Sequence, residues 1–439
     1  MLAPRMNSVE KSVALFAAKL GYQTRSFASA ARKLGVKLRY VTDRCHQLPD
    51  PWNDQAIAVR FAAEEEAAAA AIQALRCAPP DAIIALGDTP TIAAAYAARG
   101  LGLPGNHPAA VQACRNKLRM REVFRDAGLP GPRFRAVQLA PEPEPALLGI
   151  AYPSVIKPLS LSASQGVMRV NSHAEFREGV RRLARLLQQP ALVTQQGPQS
   201  QFLVEDYIPG VEVAVEGILL EGKLKVLALF DKPDPLAGPF FEETIYATPS
   251  RLAPETQQAI HRAAEHSARA LGLSFGPVHA EFRVNDRGVW PLEVAPRPIG
   301  GMCAASLAFV SAAHAEAIGL EELILRHAIG EDVSGWQREP AASAVMMIPV
   351  PRAGTLESVA GAEEASRVAG VTGVQITARL HDAILAWPEG SSYLGFIFAK
   401  AAEPAAAEDA LRIAHSKLHF DIRQALPVQH PVSGKIAQP

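Results

Sequence analysis

The chain has 439 residues, of which 49% are hydrophobic, and it carries 44 basic and 44 acidic side chains. This length exceeds one ordinary hydrophobic core and predicts two to four domains. A net charge of zero argues against a basic surface for nucleic acid and against a polybasic surface for membranes.

Cysteine usage and apolar segments indicate a reducing, aqueous compartment. The cysteines form no CxxC pair, so neither a disulfide framework nor a zinc cluster is predicted. They are Cys45, Cys77, Cys114 and Cys303. The first apolar stretch, residues 13–18, lies between Lys11 and Lys19 and lacks the pattern of a signal peptide. No run of about 18 uncharged apolar residues occurs, so we expect no transmembrane helix and a cytoplasmic protein.

Helix and strand signals alternate over the first 112 residues. Helices are predicted at residues 25–34, 64–76 and 91–99, and strands at 36–41 and 81–86. This alternation is typical of a small parallel α/β sheet. The turn at residues 87–90 would then lie at the carboxyl edge of that sheet, where ligands commonly bind.

The following part of the chain starts with a helix and then changes to short strands. One helix is predicted over residues 113–127, and the proline-rich residues 141–145 are interpreted as a surface connection. Strands are then predicted at 154–157, 202–207, 211–220, 223–230, 278–284 and 289–294, with turns at 222 and 285–288. Helices are predicted at 254–271 and 314–329. After a linker at 330–340, a final α+β segment has strands near 344–350, 373–380 and 396–399 and a helix near 405–418.

Several familiar motifs are incomplete. Gly100 to Gly105 matches GxGxxG, but a helix precedes it and Pro104 interrupts it, so it is interpreted as a helix end and turn. Neither a Walker A nor a GxSxG sequence occurs. His415 and His419 lack the intervening glutamate of a zinc protease and are interpreted as a solvated helix face.

Two segments have the composition of a nucleotide site. Lys157 leaves an apolar strand and is followed by a loop rich in serine and glycine, residues 158–167. The N–H groups and hydroxyls of such a loop can surround phosphates, and the lysine can supply a point charge. Further on, Glu205 and Glu212 flank a Pro-Gly turn and could accept hydrogen bonds from adenine and ribose. A surface turn and a hairpin with exposed acids are the alternative interpretations.

Two acidic residues lie on neighbouring predicted strands. Glu281 and Glu293 each follow apolar residues, and adjacent strands would bring their carboxylates together. Like charges at that spacing need a cation, and Mg²⁺ binds one or two carboxylates plus substrate phosphates. Arg297 could neutralise a developing oxyanion. The alternative is a cross-strand pair in which Arg283 or Arg297 forms a salt bridge.

The order of these segments distinguishes between the interpretations. A phosphate lysine and loop, a nucleotide edge, two metal carboxylates and an arginine follow one another between residues 157 and 297. Together they resemble the ATP-grasp superfamily over roughly residues 20–420. Within it, they resemble the carboxylate–amine ligases that include bacterial L-amino-acid (dipeptide) ligases. The architecture is similar to phosphoribosylglycinamide synthetase and biotin carboxylase.

The resemblance implies an α/β and α+β fold in several parts. These are a pre-ATP-grasp α/β domain (1–112), an ATP-grasp domain (113–335) with a lid subdomain at about 150–210, and a small C-terminal α+β domain (336–425). A flexible tail (426–439) would follow.

The resemblance also assigns roles to matching positions. It implies an ATP site formed by Lys117, Lys157, Ser162, Ser164, Gly166, Glu205, Tyr207, Ile208 and Glu212. It implies metal ligands at Glu281 and Glu293, a catalytic arginine at Arg297, and substrate contacts at Glu243, Tyr246, Gly300 and Gly301. The cofactors implied are ATP and Mg²⁺, with Mn²⁺ as an alternative. Ala295 stands where most of the superfamily has asparagine, but the dipeptide-ligase branch also has Ala-Pro-Arg there.

The activity implied is ATP-dependent amide formation through an acyl phosphate, with release of ADP and phosphate. The substrates implied are amino acids or small carboxylates. We expect no nucleic-acid or membrane partner, and a homodimer is compatible with the sequence. Two alternatives stay open: an ATP-dependent carboxylase that uses bicarbonate, and a non-catalytic nucleotide-binding protein.

Overall fold

A computed structural model describes residues 10–44, 56–139 and 149–424, together with the backbone of residues 428–429 and 436–437. The connection predicted at residues 141–145 lies outside the described residues, as does most of the tail predicted over 426–439. Within the described parts, no helix is both long enough and apolar enough to cross a membrane.

The N-terminal part is a parallel α/β layer. Its elements are β1 (Ser12–Ala17), α1 (Tyr22–Leu34), β2 (Lys37–Asp43), β3 (Ile57–Val59), α2 (Glu64–Leu75), β4 (Ala82–Leu86) and α3 (Thr91–Leu101). The strands pair in parallel in the order β3-β2-β1-β4, which confirms the predicted parallel sheet. Leu15 packs with Phe27 of α1, whereas Phe16 packs with residues of α2 and α3. Helices therefore cover both faces of β1, as expected for a parallel sheet.

Two short helices follow, α4 (Pro108–Arg115) and α5 (Lys117–Asp126). The prediction of a single helix over 113–127 is therefore wrong. Asn116 is extended, and its side chain accepts a hydrogen bond from the N–H of Arg119 at 3.1 Å, so it caps α5. The break places Lys117 at the start of a new helix, where its own N–H donates to the carbonyl of Leu159 at 2.9 Å.

A small antiparallel sheet covered by helices comes next. Its elements are β5 (Phe134–Gln138), β6 (Ser154–Pro158), β7 (Met168–Val170), α6 (His173–Leu187), α7 (Pro190–Gln196) and β8 (Gln201–Asp206). The strand order is β5-β8-β6-β7. Phe176 and Leu183 of α6 pack against Ile156 of β6 in a separate hydrophobic cluster. The unit has its own core. Because β5 belongs to its sheet, the unit begins before residue 150, and the lid subdomain at about 150–210 stays a prediction.

The central part contains two hairpins and a long helix. Its elements are β9 (Val211–Leu220), β10 (Lys223–Lys232), β11 (Ile245–Thr248), α8 (Pro254–Ala270), β12 (Gly276–Asn285) and β13 (Gly288–Ala295). Leu220 pairs with Lys223 and Asn285 pairs with Gly288, so both predicted turns are confirmed. After a 3₁₀ helix (Cys303–Ser306) come β14 (Ala308–Ser311), β15 (His314–Gly319), α9 (Leu320–Ala328) and β16 (Gln337–Arg338). The predicted helix 314–329 is wrong in its first six residues, which form β15.

The C-terminal part joins the same main sheet. Its elements are β17 (Ala342–Ile348), β18 (Gly354–Ala360), α10 (Ala362–Ser366), β19 (Val371–Ile376), β20 (Ala383–Ile384), β21 (Gly395–Ala401), α11 (Pro404–His415), β22 (His419–Arg423), β23 (Val428–Gln429) and β24 (Ile436–Ala437). The main sheet has eight strands in the order β13-β12-β9-β10-β11-β17-β21-β19. A single sheet thus extends across residue 335, and the division into domains there stays a prediction. Because α11 ends at His415 and β22 begins at His419, the helix face predicted for these two histidines is wrong.

Candidate active site

A cavity of about 370 Å³ lies where the N-terminal layer, the small antiparallel sheet and the main sheet meet. Its wall contains every residue that the sequence assigned to the site except Gly166. Residues separated by more than 170 positions, such as Lys117 and Arg297, therefore share one cavity. The roles of these residues stay predictions, whereas their proximity is a property of the fold.

The two strand acids face one another across β12 and β13. Glu281 is the direct cross-strand partner of Glu293, so both side chains lie on the same face, with Cβ atoms about 4.5–5.5 Å apart. Lys117 Nζ lies 3.1 Å from Glu293 Oε2. Lys232 Nζ lies 3.3 Å from Glu281 Oε1. Each carboxylate therefore has a lysine partner.

Lys232, the last residue of β10, lies among three glutamates. Its Nζ is 2.8 Å from Glu212 and 3.3 Å from Glu281, and it also donates to Glu243. Oxygens of these three glutamates lie within 4.8 Å of one another. Burial alone lowers the pKa of Lys232, but the carboxylates outweigh burial and raise that pKa well above its ordinary value. Lys232 was not predicted from the sequence, although it follows apolar residues of a strand as Lys157 does.

Burial is the largest influence on the pKa of Glu243, another member of this cluster. It raises the pKa of the carboxyl group to about 7, and the charges of Glu281 and Glu212 act in the same direction, against that of Lys232. For Glu281, burial is outweighed by the charge of Lys232, which holds the pKa well below its ordinary value. The cluster thus contains one carboxylate held ionised and one that titrates near neutral pH.

Arg297 connects β13 to the N-terminal layer. Its Nε and Nη2 donate to the two carboxylate oxygens of Asp88 at 2.9 and 3.0 Å, and the side chains are only 11% and 9% exposed. Burial alone raises the pKa of Asp88, but the positive charges of Arg297, Arg115 and Lys117 outweigh it and hold the pKa below its usual range. Asp88 follows β4 in the turn predicted to lie near a ligand, yet the sequence did not single it out.

Glu205, near the end of β8, is buried between two cations. Arg121 Nε lies 2.6 Å from one oxygen and Lys157 Nζ lies 2.5 Å from the other. Burial raises the pKa of Glu205, but these charges outweigh it and lower the pKa to about 2. At Lys157, burial and repulsion by Arg121 outweigh the attraction of Glu205 and lower the pKa of the amine to about 8. The carboxylate that the sequence assigned to the adenine edge therefore holds Lys157 at the cavity wall.

The connection after β8 is tied to β12 by Arg283. This guanidinium donates to the hydroxyl of Tyr207 at 3.0 Å, to the carbonyl of Ile208 at 2.9 Å and to Glu212 at 3.0 Å. The Tyr207 ring also stacks on Phe241, with centroids 6.5 Å apart. Since Arg283 pairs with Glu212 and Arg297 pairs with Asp88, the two arginines do not form the salt bridges of the alternative interpretation.

A buried pair, His279 and Glu216, contacts Glu281 and was not predicted from the sequence. His279 Nδ1 lies 3.1 Å from the fully buried Glu216, and His279 Nε2 lies 3.6 Å from Glu281 Oε1. The N–H of Ile299 donates to the other oxygen of Glu216 at 3.2 Å. Burial raises the pKa of Glu216. This chain of contacts restricts the orientation of Glu281.

Aromatic and sulfur-containing side chains line the cavity around Glu243. They are Tyr22, Tyr246, Cys303, Met347 and Tyr393. Burial raises the pKa of Tyr22 to about 12, so its hydroxyl is neutral at ordinary pH. Gly301 has a φ of +59°, and a Cβ there would lie 3.2 Å from Phe396, whereas a Cβ at Gly300 would meet nothing within 4 Å.

Comparison with known proteins finds three domain models that match along the chain. Residues 28–105 match the model of the ATP-grasp N-terminal domain, residues 150–306 that of the ATP-grasp domain, and residues 346–423 that of the L-amino acid ligase C-terminal domain 2. The D-alanine–D-alanine ligase of Marinobacter nauticus is 31% identical over 246 residues, which are 55% of this chain and 70% of that protein. The alanine–anticapsin ligase of Bacillus amyloliquefaciens is 30% identical over 223 residues, which are 47% and 46% of the two chains.

A solved structure extends the similarity to almost the whole chain. The L-amino acid ligase from Bacillus licheniformis is 27% identical and has a TM-score of 0.78, with 94% of this chain and 99% of that chain covered. Some curated relatives are much longer than the matched region. The chain spans 46% of the alanine–anticapsin ligase and 64% of an uncharacterized protein of Sinorhizobium fredii.

The matched domain models and the similarity to the solved structure define the class of fold. The chain belongs to the ATP-grasp family, and its fold is the predicted mixed α/β and α+β ATP-grasp fold. Its C-terminal segment matches the L-amino acid ligase branch, which is the branch that the sequence resembles.

Proposed function

We propose that the protein is an ATP-dependent carboxylate–amine ligase that activates an amino acid or small carboxylate as an acyl phosphate and releases ADP and phosphate. One observation carries this proposal. Glu281 and Glu293 face one another in the cavity that also contains Lys117, Lys157 and Arg297. The names of the relatives, which are amino-acid ligases, support amide formation over the carboxylase and the non-catalytic alternatives.

ATP would lie between the small antiparallel sheet and the main sheet. Lys117 and Lys157 would supply positive charge to its phosphates, and residues 159–167 would supply N–H groups and the hydroxyls of Ser162 and Ser164. Backbone groups at Tyr207 and Ile208 would bind adenine, and Glu212 would bind ribose. Because Glu205 and Glu293 already hold the two lysine amines, little side-chain freedom would be lost when phosphates bind.

Glu281 and Glu293 would hold Mg²⁺, with Mn²⁺ as an alternative. Carboxylate oxygens at cross-strand spacing suit a hard divalent cation, and two lysines now lie against these same carboxylates. When bound, the ion would neutralise charge on the transferring phosphoryl group. Ala295 offers no side-chain oxygen, so Glu293 would have to serve both ions if two bind.

The amide-forming step would depend on Arg297. Its guanidinium would neutralise charge on the acyl oxygen as the amine adds, which is the kind of stabilisation that works best in a dry cavity. Glu243 would contact a substrate ammonium group, while Tyr246, Gly300 and Gly301 would shape the substrate site. The pKa of Glu243, raised to about 7 by burial, makes this contact sensitive to pH near neutrality.

The proposal is tested by incubating the protein with Mg-ATP and a matrix of amino acids and small carboxylates. We expect phosphate release only with particular pairs, and a product whose mass is the sum of the pair minus water. Glu293→Gln should abolish both signals, while Glu316→Gln, an exposed site on β15, should not. Release of ADP that depends on bicarbonate would indicate a carboxylase instead. Nucleotide binding without turnover for any pair would indicate a non-catalytic protein.

We also propose a cytoplasmic homodimer acting on small molecules, and the domain division at about 112 and 335. Light scattering of the purified protein decides the oligomeric state, and a monomer would contradict this part. Proteolysis of the full chain should cut first near these borders if they separate domains.

A further inference from the structure

Three residues of the C-terminal part, Trp387 to Glu389, contact the loop proposed to surround the ATP phosphates. We call residues 387–389 the clasp and residues 159–167 the phosphate loop. Trp387 Nε1 donates to the carbonyl of Ala163 at 3.0 Å, and the N–H of Gly166 donates to the carbonyl of Pro388 at 2.8 Å. The side-chain amide of Gln165 donates to the carbonyl of Glu389 at 2.7 Å. Three hydrogen bonds therefore join two segments more than 220 residues apart.

An ion pair fastens the clasp to the helix beneath the loop. Arg182 of α6 contacts both carboxylate oxygens of Glu389, and its Nη2 lies 2.7 Å from Oε2. The guanidinium also lies over the ring of Phe240, 4.9 Å from its centroid. Because α6 packs on β6, the strand that leads into the phosphate loop, the ion pair holds the clasp against the unit that carries this loop.

Two neighbouring residues of the phosphate loop have a strained backbone conformation. Ala163 and Ser164 both have a φ of +54°, a left-handed conformation that costs on the order of 1 kcal/mol or more for each residue with a side chain. The loop's own bonds are those from Gln165 N–H to Ser162 and from Val167 N–H to Ser164. One clasp bond is made at the carbonyl of Ala163, within the strained pair, and another at the N–H of Gly166, two residues after Ser164.

The first residues of the phosphate loop are held by Lys117, which is predicted to bind ATP, and by Arg115 at the end of α4. Lys117 Nζ donates to the carbonyl of Leu161 at 2.8 Å, and Arg115 donates to that of Ser160 at 3.2 Å. The clasp in turn packs against the cavity, since the ring of Trp387 lies 5.0 Å from that of Tyr393, which lines the cavity wall near Glu243. The loop is thus held between the start of α5 and the clasp.

We propose that the clasp positions the phosphate loop over the ATP phosphates and so shields the acyl phosphate from water until the amine attacks. Trp387, Glu389 and Arg182 are the positioning residues, and the contact between Trp387 and Tyr393 links loop closure to the part of the cavity assigned to substrate. This inference rests on the proposed ligase function. A loosened loop would admit water, so that phosphate is released without amide formation.

Conservative variants test the clasp. Trp387→Phe removes the N–H donor and keeps a ring against Tyr393, and Glu389→Gln removes the charge and keeps the backbone carbonyl. The double variant Arg182→Glu with Glu389→Arg restores an ion pair of reversed polarity. The matched control is Glu363→Gln, which removes an exposed ion pair with Arg367 elsewhere in the C-terminal part.

The first readout is amide hydrogen exchange of residues 159–167 in the nucleotide-free protein, which requires no catalytic activity. Loss of a contact of about 0.5–1.5 kcal/mol should speed exchange about twofold to thirteenfold in each single variant, and the double variant should return toward the wild type. The second readout is phosphate released per amide formed, which should rise in the single variants while the thermal midpoint stays that of the control.

The outcomes separate the inference from the function on which it rests. Two results would show that the clasp does not hold the phosphate loop. One is unchanged hydrogen exchange in both single variants, and the other is exchange in the double variant that is as fast as in Glu389→Gln. Faster exchange with a wild-type ratio of phosphate to amide overturns its positioning role. If the wild type forms no amide with any pair, the proposed function fails, while the exchange measurement still decides whether the clasp holds the loop.

Discussion

Replacing Arg297 tests the proposed chemistry and the structural role of the residue separately. If this guanidinium stabilises the developing oxyanion, Arg297→Ala should lower turnover by about 10²-fold or more, which corresponds to about 2.7 kcal/mol or more of transition-state stabilisation. ATP affinity should change little, because the proposed ATP contacts are Lys117 and Lys157.

The structure adds a second consequence, for stability. Arg297 makes two hydrogen bonds to Asp88, and both side chains are about nine-tenths buried. Removing one partner of a buried ion pair leaves an uncompensated charge, which typically costs about 3–5 kcal/mol. Arg297→Ala should therefore be less stable as well as slower, and the two effects must be separated.

A double variant separates them. Asp88→Asn with Arg297→Gln keeps hydrogen-bonding groups at both positions without a buried charge, so the free energy of unfolding in urea should return toward the wild type. Turnover should stay low, because the positive charge near the acyl carbon is still missing. ATP affinity is measured by calorimetry without substrates, and turnover by phosphate and amide formation in single-turnover reactions.

Two results would refute the reasoning. A double variant with wild-type turnover would mean that Arg297 serves only to neutralise Asp88. A loss of ATP affinity as large as the loss of turnover would place Arg297 in nucleotide binding rather than at the oxyanion.

Two further changes test the buried ion pairs around Glu205. ATP affinity should fall as pH rises through about 8, because the lowered pKa of Lys157 means that its amine loses the proton there. Lys157→Arg, which stays charged, should remove this dependence in calorimetric titrations, and a pH profile unaffected by it would contradict the assignment. Arg121→Ala should cost about 3–5 kcal/mol in urea unfolding, because it strips a buried partner from Glu205. Arg119→Ala on the exposed side of α5 should change the free energy of unfolding by no more than about 0.5 kcal/mol. Equal effects of the two substitutions would show that the buried ion pair adds no stability beyond that of an exposed one.

Local sequence patterns were enough to predict most of the strands and turns. The runs around Glu281 and Glu293 alternate or continue in apolar residues, and the turn at 285–288 has the residues that a hairpin needs. The pairing of these two acids therefore followed from the sequence. The predicted element boundaries were wrong where two adjacent elements have similar amino-acid composition. Residues 113–127 are all compatible with a helix, and only the extended backbone at Asn116 divides it.

The sequence by itself determined the order of chemical groups in this protein: a lysine and loop, a hinge, two acids and an arginine. Only the tertiary structure decided which charges compensate one another. Asp88 lies 209 residues before Arg297, and Lys232 meets three glutamates from different strands or loops. The physical reason is that burial forces each charge to find a partner wherever the fold brings one near. The phosphate loop is a further example. Its composition predicted a loop that could bind phosphates, but the clasp that holds it comes from a segment 224 residues further along the chain.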